Sequence, residues 1–187
     1  MNNFIAKFEK VSYEQFRKDW LEVFKYVPIN WEDENKAFQF IYDNIKLPKR
    51  ATNGSAGYDF FCPINIGIPY DDSITIPTGI RCKINDGWVL TTFPRSGHGF
   101  KYGVHLANTV GIIDSDYYNA ENEGHILVKL VNDSTLGKNQ NFKMEIDTAM
   151  FQGIFLPYGV AEEDEVTGVR TGGFGSTDKT IETQEVK

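Results

Sequence analysis

Gly79-Ile80-Arg81-Cys82-Lys83-Ile84-Asn85-Asp86-Gly87-Trp88-Val89-Leu90-Thr91-Thr92-Phe93 carries the clearest sign of the fold class. Two apolar, β-rich runs flank Asn85-Asp86-Gly87. Asp-Gly supplies the positive φ that a tight turn needs, so the stretch predicts strand, hairpin turn and returning strand. The same texture recurs on both sides. Residues 73–77, 103–107 and 125–131 are short β-branched runs, and Gly, Pro, Asn and Asp break the sequence between them. From Leu47 onward, many short strands with frequent turns predict a mainly β fold, a jelly-roll-like β-barrel.

The first part of the chain reads differently. Phe4, Ala6 and Phe8 alternate with polar or mixed neighbours, which suits a short opening strand. Ser12-Tyr13-Glu14-Gln15 has the form of a capping box. Behind it Phe16, Trp20, Val23, Phe24 and Val27 fall on one helical face, and Pro28 is expected to stop that helix. Asn30 can cap a second helix, with Trp31, Phe38 and Ile41 or Tyr42 as its apolar side. Residues 12–44 therefore predict two amphipathic helices docked on the rest of the chain. At the other end, residues 161–187 turn acidic, then glycine-rich, then polar, with no periodicity and little to bury. That stretch is expected to be mobile without ligand. The division expected is a helical N-terminal extension at 1–46, a β-barrel core at 47–165 and a tail at 166–187.

Composition sets bounds. The 187 residues are 41% hydrophobic and 24% charged, as in ordinary soluble domains. No apolar run is long enough to span a bilayer, and the start lacks the apolar core of a signal peptide. Cys62 and Cys82 sit in apolar or strand-like stretches, which suits a reduced, cytoplasmic protein with two buried thiols. No Cys/His spacing fits zinc. A net charge of -7 argues against a broad nucleic-acid surface. It leaves room for a small anion held by backbone N–H groups, a few arginines and a divalent cation.

Several residues could carry chemistry. Asp114 and Asp116 follow the apolar Val110-Gly111-Ile112-Ile113, and on a strand both would face one side. Close carboxylates suit an activated water or a cation, although on spacing alone a solvated hairpin end accounts for Asp-Ser-Asp better. Pro94-Arg95-Ser96-Gly97 offers a guanidinium, a hydroxyl and an approachable N–H, a set that suits phosphate oxygens. Gln152-Gly153 offers a carboxamide and an N–H. Arg170-Thr171-Gly172-Gly173-Phe174-Gly175-Ser176-Thr177-Asp178 couples a flexible backbone to an arginine and a lone aromatic, which a plain linker rarely needs. His98 and His105 have no companion at nucleophile or ligand spacing and read as packing or surface residues.

Taken in order with Ala56-Gly57-Tyr58-Asp59-Phe60, these motifs resemble the trimeric deoxyuridine triphosphatase (dUTPase) family over about residues 47–178. The resemblance implies hydrolysis of dUTP to dUMP and pyrophosphate, which limits uracil in DNA and supplies dUMP for thymidylate synthesis. It implies Mg2+ held mainly by substrate phosphates and water, and a homotrimer with shared sites. Asp114 would activate the attacking water, supported by Asp116, and Tyr117 would pack under the deoxyribose and leave no space for a 2′-OH. Asn108 and Gly111 would belong to the base hairpin, with Asn108 reading uracil. Ser96 and Gly97 would contact the α- and β-phosphates, and Gln152 and Gly153 the α-phosphate. Arg95 would pair with nearby carboxylates, and Asp59 would be its structural partner or lie near the metal waters. In the tail, Arg170 would meet the γ-phosphate and Phe174 would stack on uracil, while Gly175, Ser176 and Thr177 complete the phosphate contacts.

The sequence departs from the family at two places. Ala149 stands where many members carry arginine, and Tyr118-Asn119-Ala120-Glu121-Asn122-Glu123 intervenes before Gly124, lengthening the hairpin beside the base pocket. Two other readings use the same residues. One is a dCTP deaminase of the same fold, which the Asp114-Ser115-Asp116-Tyr117 sequence fits less well. The other is a regulatory, partner-binding protein of the phage type that engages repressors, with the insert and the helical extension as its surfaces.

Overall fold

The computed structural model describes residues 4–25, 33–133, 135–136, 140–164 and 172. β1 (Ala6–Lys10) leads into α1 (Tyr13–Phe24) and α2 (Glu34–Asn44). Next come β2 (Lys49–Arg50), β3 (Tyr58–Phe61), β4 (Ile66–Ile68), β5 (Asp72–Pro77), β6 (Ile80–Ile84) and β7 (Trp88–Pro94). A short helix, α3 (Ser96–Tyr102), precedes β8 (Val104–Leu106) and β9 (Gly111–Ile113). A 3-10 turn at Ser115–Asn119 is followed by β10 (Leu127–Asn132), β11 (Phe142–Met144) and β12 (Ala149–Pro157).

The fold is mainly β, as the turn-rich texture predicts. The described strands form a five-stranded sheet in the order β2-β3-β12-β7-β9, a three-stranded sheet β5-β10-β8, and two pairs, β1-β6 and β11-β4. These described pairings do not close into one ring. The Asn85-Asp86-Gly87 turn forms: Trp88 N–H donates to the Asn85 carbonyl at 3.2 Å, and Gly87 takes φ +79°. The hairpin expected around it does not. β6 pairs with β1, whereas β7 pairs with β12 and β9. The reason lies in layering. Phe8 of β1 packs against Tyr58, Phe60 and Phe155 of the five-stranded sheet, with ring centroids 5.3 to 5.7 Å apart. Stacking the β1-β6 pair on that sheet buries these aromatic faces. A flat β6-β7 hairpin would leave them in one plane.

The N-terminal helices begin and end for local reasons. Ser12 Oγ accepts from Gln15 N–H at 3.1 Å, the cap expected. The helix ends earlier than Pro28, because Lys25 adopts the left-handed conformation and its N–H closes on the Leu21 carbonyl. Asp33 rather than Asn30 caps α2, accepting from the N–H groups of Asn35 and Lys36. A carboxylate there also meets the positive end of the helix dipole. Val27, Pro28, Asn30 and Trp31 lie outside the described residues.

Both helices share a core with the strands. Phe16, Trp20 and Phe38 are fully buried together with Phe60, Leu90 and Phe151. Each such ring is worth about 1.5–3 kcal/mol relative to exposure. Gly79 (φ +73°) makes the close approach possible, since Ile45 occupies the place its Cβ would take. Cys62 and Cys82 are free and buried, and burial pushes both thiols up to about 12. Among the described residues, no helix is long and apolar enough to cross a membrane.

Candidate active site

Strand register assembles the site. β12 runs between β3 and β7, and β9 flanks β7. One row across four strands reads Tyr58, Gly153, Thr92, Gly111. The neighbouring row reads Asp59, Gln152, Phe93. Residues nearly a hundred positions apart in sequence thus become cross-strand neighbours, with side chains close enough to interact.

At the end of this sheet lies a cleft of about 370 Å3, lined by Gly57, Asp59, Arg95, Ser96 and Gln152 among others. Arg95 Nε stands 3.3 Å from Asp59 Oδ1. Gln152 Nε2 donates to the Pro94 carbonyl at 3.3 Å, while its Oε1 lies 2.5 Å from where a Cβ on Gly57 would be. Gly57 thus leaves the space that the carboxamide occupies. Arg95 holds an extended conformation at the start of α3, so Ser96 and Gly97 form the first helical positions. N–H groups there have no acceptor within the helix and can meet an anion. The adjoining cleft of about 360 Å3 adds Lys101 to Arg95, Ser96 and Gly97. Its charged lining is cationic. His98 packs beside it: its Nδ1–H donates to the Met150 carbonyl at 3.1 Å and its ring meets Phe142 at 5.2 Å. Burial lowers its pKa below the ordinary histidine value. His105 Nε2 lies 3.5 Å from the Asp133 carboxylate, toward the surface.

A second cleft, of about 420 Å3 and largely apolar, is lined by Asn108, Gly111, Ile112, Ile113 and Thr92 among others. Thr92 was not legible from sequence. It sits inside an unbroken strand run, and only the register places its Oγ1 where a Gly111 side chain would be.

Asp114 and Asp116 do not share a strand face. β9 stops at Ile113, Asp114 is extended and half-buried, and the chain then winds into the 3-10 turn with Asp116 exposed. Tyr117 N–H closes that turn on the Asp114 carbonyl at 3.2 Å, because the Tyr117 ring goes inward and is 6% exposed. Asp114 and Tyr117 are not among the described residues lining either cleft. Arg170, Phe174, Gly175, Ser176 and Thr177 lie outside the described residues.

With this geometry in place, comparison with known proteins is informative. A sequence model of dUTPase matches residues 43–178.

The chain belongs to the dUTPase family.

A deoxyuridine 5'-triphosphate nucleotidohydrolase from Lactococcus lactis is 39% identical over 136 residues, covering 71% of this chain and 88% of that protein. The crystal structure of dUTPase from Streptococcus mutans superposes with a TM-score of 0.58 at 31% identity, covering 83% of this chain and 98% of that one. A dUTPase from phage phi11 of S. aureus, whose structure details a structural Mg(II) ion, shares the fold at 19% identity and TM-score 0.54, covering 67% of this chain and 92% of that one. Against the dUTPase pattern, Ala149 is buried at 7% exposure, opposite Phe61 on β3.

Proposed function

We propose that this chain hydrolyses dUTP to dUMP and pyrophosphate in the cytoplasm, as a homotrimer whose subunits share sites. The observation that carries the reading is the row Asp59-Gln152-Phe93 with the Arg95–Asp59 pair, which gathers three separate motifs around one cleft of about 370 Å3.

Water attacks the α-phosphorus in line with the departing pyrophosphate, and Asp114 takes its proton as general base. Ser96 Oγ–H and the N–H groups of Ser96 and Gly97 donate to phosphate oxygens as charge builds there. Gln152 and Gly153 orient the α-phosphate. Arg95, held by Asp59, supplies positive charge without free rotation. The apolar cleft at Asn108 and Gly111 takes the base, and Tyr117 backs the sugar. Arg170, Phe174, Gly175, Ser176 and Thr177 close over the triphosphate and exclude water.

Among the described residues, no three His, Cys, Asp or Glu side chains group as a metal site. Asp59 is already paired with Arg95. Such a donor set suits Mg2+ carried on the triphosphate with water completing its shell, rather than a protein cage. When bound, the ion offsets charge on the pyrophosphate leaving group.

Pyrophosphate release from dUTP with Mg2+, run beside dTTP, dCTP and UTP, tests the reading. Release from dUTP alone supports it. Ammonia release from dCTP, or no turnover of any of the four, would overturn it.

A further inference from the structure

The 118–123 insert is not a free surface loop. Asn122 Nδ2 donates to Tyr117 Oη at 2.8 Å, and Tyr117 Oη donates in turn to the His125 carbonyl at 2.7 Å. The loop is folded to make this contact. Gly124 N–H donates to Asn122 Oδ1 at 3.2 Å, and a Cβ on Gly124 (φ +70°) would lie 2.6 Å from the Tyr117 carbonyl.

His125, expected to begin a strand, precedes β10 and is completely buried. Gly79 N–H donates to its Nε2 at 2.7 Å, so that nitrogen is unprotonated and Nδ1 carries the hydrogen. Nδ1–H then donates to Asp19 Oδ2 at 2.5 Å. The other Asp19 oxygen accepts from Gln15 Nε2 at 2.8 Å. Each polar atom in this buried chain has a partner, and a satisfied buried network fixes a single geometry. Next to it, Ser12 donates through both N–H and Oγ–H to the two oxygens of Glu123, at 2.7 and 2.6 Å. Tyr118 Oη–H donates to Glu9 at 2.6 Å, under the Arg81 guanidinium 4.0 Å from the Tyr118 ring centre. The N-terminal extension thus grips the insert through Glu9 and Ser12, and holds His125, just beyond the insert, through Asp19.

We propose that Asn122, His125 and Asp19 are positioning residues for Tyr117, and that the N-terminal extension thereby sets how strictly the site rejects a 2′-hydroxyl. The proposal rests on the placement of Tyr117 beneath the deoxyribose in the function proposed above. A ring anchored at its hydroxyl cannot tilt away to admit a ribose. With the anchor removed, the ring rotates about Cα–Cβ and the steric barrier softens.

The experiment uses the full chain and measures kcat and KM separately for dUTP and UTP. Wild type is compared with Asn122→Ala, Tyr117→Phe, the double variant and Asp19→Asn, with thermal unfolding recorded for each. Asn122→Ala is expected to lower the dUTP-over-UTP ratio of kcat/KM about tenfold, chiefly through KM, since one hydrogen bond of about 1.4 kcal/mol corresponds to that factor, and Tyr117→Phe, which also loses the bond to the His125 carbonyl, by at least as much. The double variant is expected to match Tyr117→Phe alone, because that change already removes the bond from Asn122 along with the one to the His125 carbonyl. Asp19→Asn, acting one step further away, is expected to lower the ratio less. A ratio unchanged in folded Asn122→Ala and Tyr117→Phe would overturn the proposal while leaving dUTP hydrolysis intact. Additive losses in the double variant would also overturn it. Wild type inactive on dUTP would remove the functional reading, and this proposal with it. If Asp19→Asn fails to fold, Asn122→Ala at the half-buried end of the network decides.

Discussion

The cleft at Asp59 and Gln152 and the corner where β1, α1 and the 118–123 loop meet are built by different means. In the cleft, backbone register does the placing. Asp59, Gln152 and Phe93 are neighbours because three antiparallel strands hold them in one row, and Gly57 leaves space for the Gln152 carboxamide. In the corner, side chains bind side chains: Ser12 to Glu123, Tyr118 to Glu9, His125 to Asp19. A strand ladder is cooperative and its backbone hydrogen bonds carry no titratable group, although the Asp59–Arg95 pair beside it does. Corner bonds contribute about 0.5–1.5 kcal/mol each and depend on which groups are ionised. The difference teaches that one part of this site is fixed by topology, whereas the other is tuned by individual residues and can be changed one substitution at a time.

The largest effect is expected where the two regions adjoin. Asp114→Asn should cut turnover by about 100- to 10,000-fold, the usual contribution of a general base, with unfolding temperature unchanged. Pyrophosphate release against nucleotide binding reads this directly, and near-wild-type turnover would remove the base assignment. Next is the seam between extension and strands. Trp20→Ala should cost about 3–5 kcal/mol in denaturant unfolding, because the indole is fully buried in the shared core. A cost below about 1 kcal/mol would mean that the helices are an appendage, and the contrast between cleft and corner would lose its structural basis.

A smaller effect sharpens the cleft side. Gly57→Ala forces the Gln152 carboxamide to move, but that group is the flexible end of a side chain. KM for dUTP should rise severalfold, corresponding to on the order of 1 kcal/mol, with little change in stability. An unchanged KM would show that Gln152 does not need its observed rotamer. The smallest effect belongs to the corner alone. The Lys7 hydrogen bond, and then the Tyr118 hydrogen bond, hold the Glu9 carboxyl down at about 2 from its ordinary 4.5. For a lowered carboxylate, the stabilisation is complete above about 4.5 and is lost as pH falls toward 2. Amide exchange measured across that window should quicken in β1 and the 118–123 loop while the β3-β12-β7 rows stay protected. Uniform quickening of both regions would erase the distinction.

Much of the local structure was legible in the sequence. Ser12 announced its cap through Gln15 three residues later, and the aromatic stripe from Phe16 to Trp20 announced a buried helix face. Asn85-Asp86-Gly87 announced its turn, and Cys62 and Cys82 their burial. The site residues Asn108, Arg95, Ser96 and Gln152 were named from order and type, and each lines one of the clefts. Two points had two local solutions: Asp33 rather than Asn30 caps α2, and Asp114-Ser115-Asp116, which suits either a strand or a turn, takes the turn.

Sequence alone carries the mainly β texture, the capped first helix, the 85–87 turn and the family, but not α3, β11 or β12. Those signals depend on residues a few positions apart. The tertiary structure alone decided that the strands flanking the 85–87 turn enter different sheets, that Thr92 lies under Gly111, and that Asp19 meets His125 from 106 positions away. Pairing of that kind depends on which competing surfaces bury the most apolar area while leaving few buried polar atoms unpartnered, Trp20 Nε1 being one that is left, a condition that exists only once the whole chain is folded.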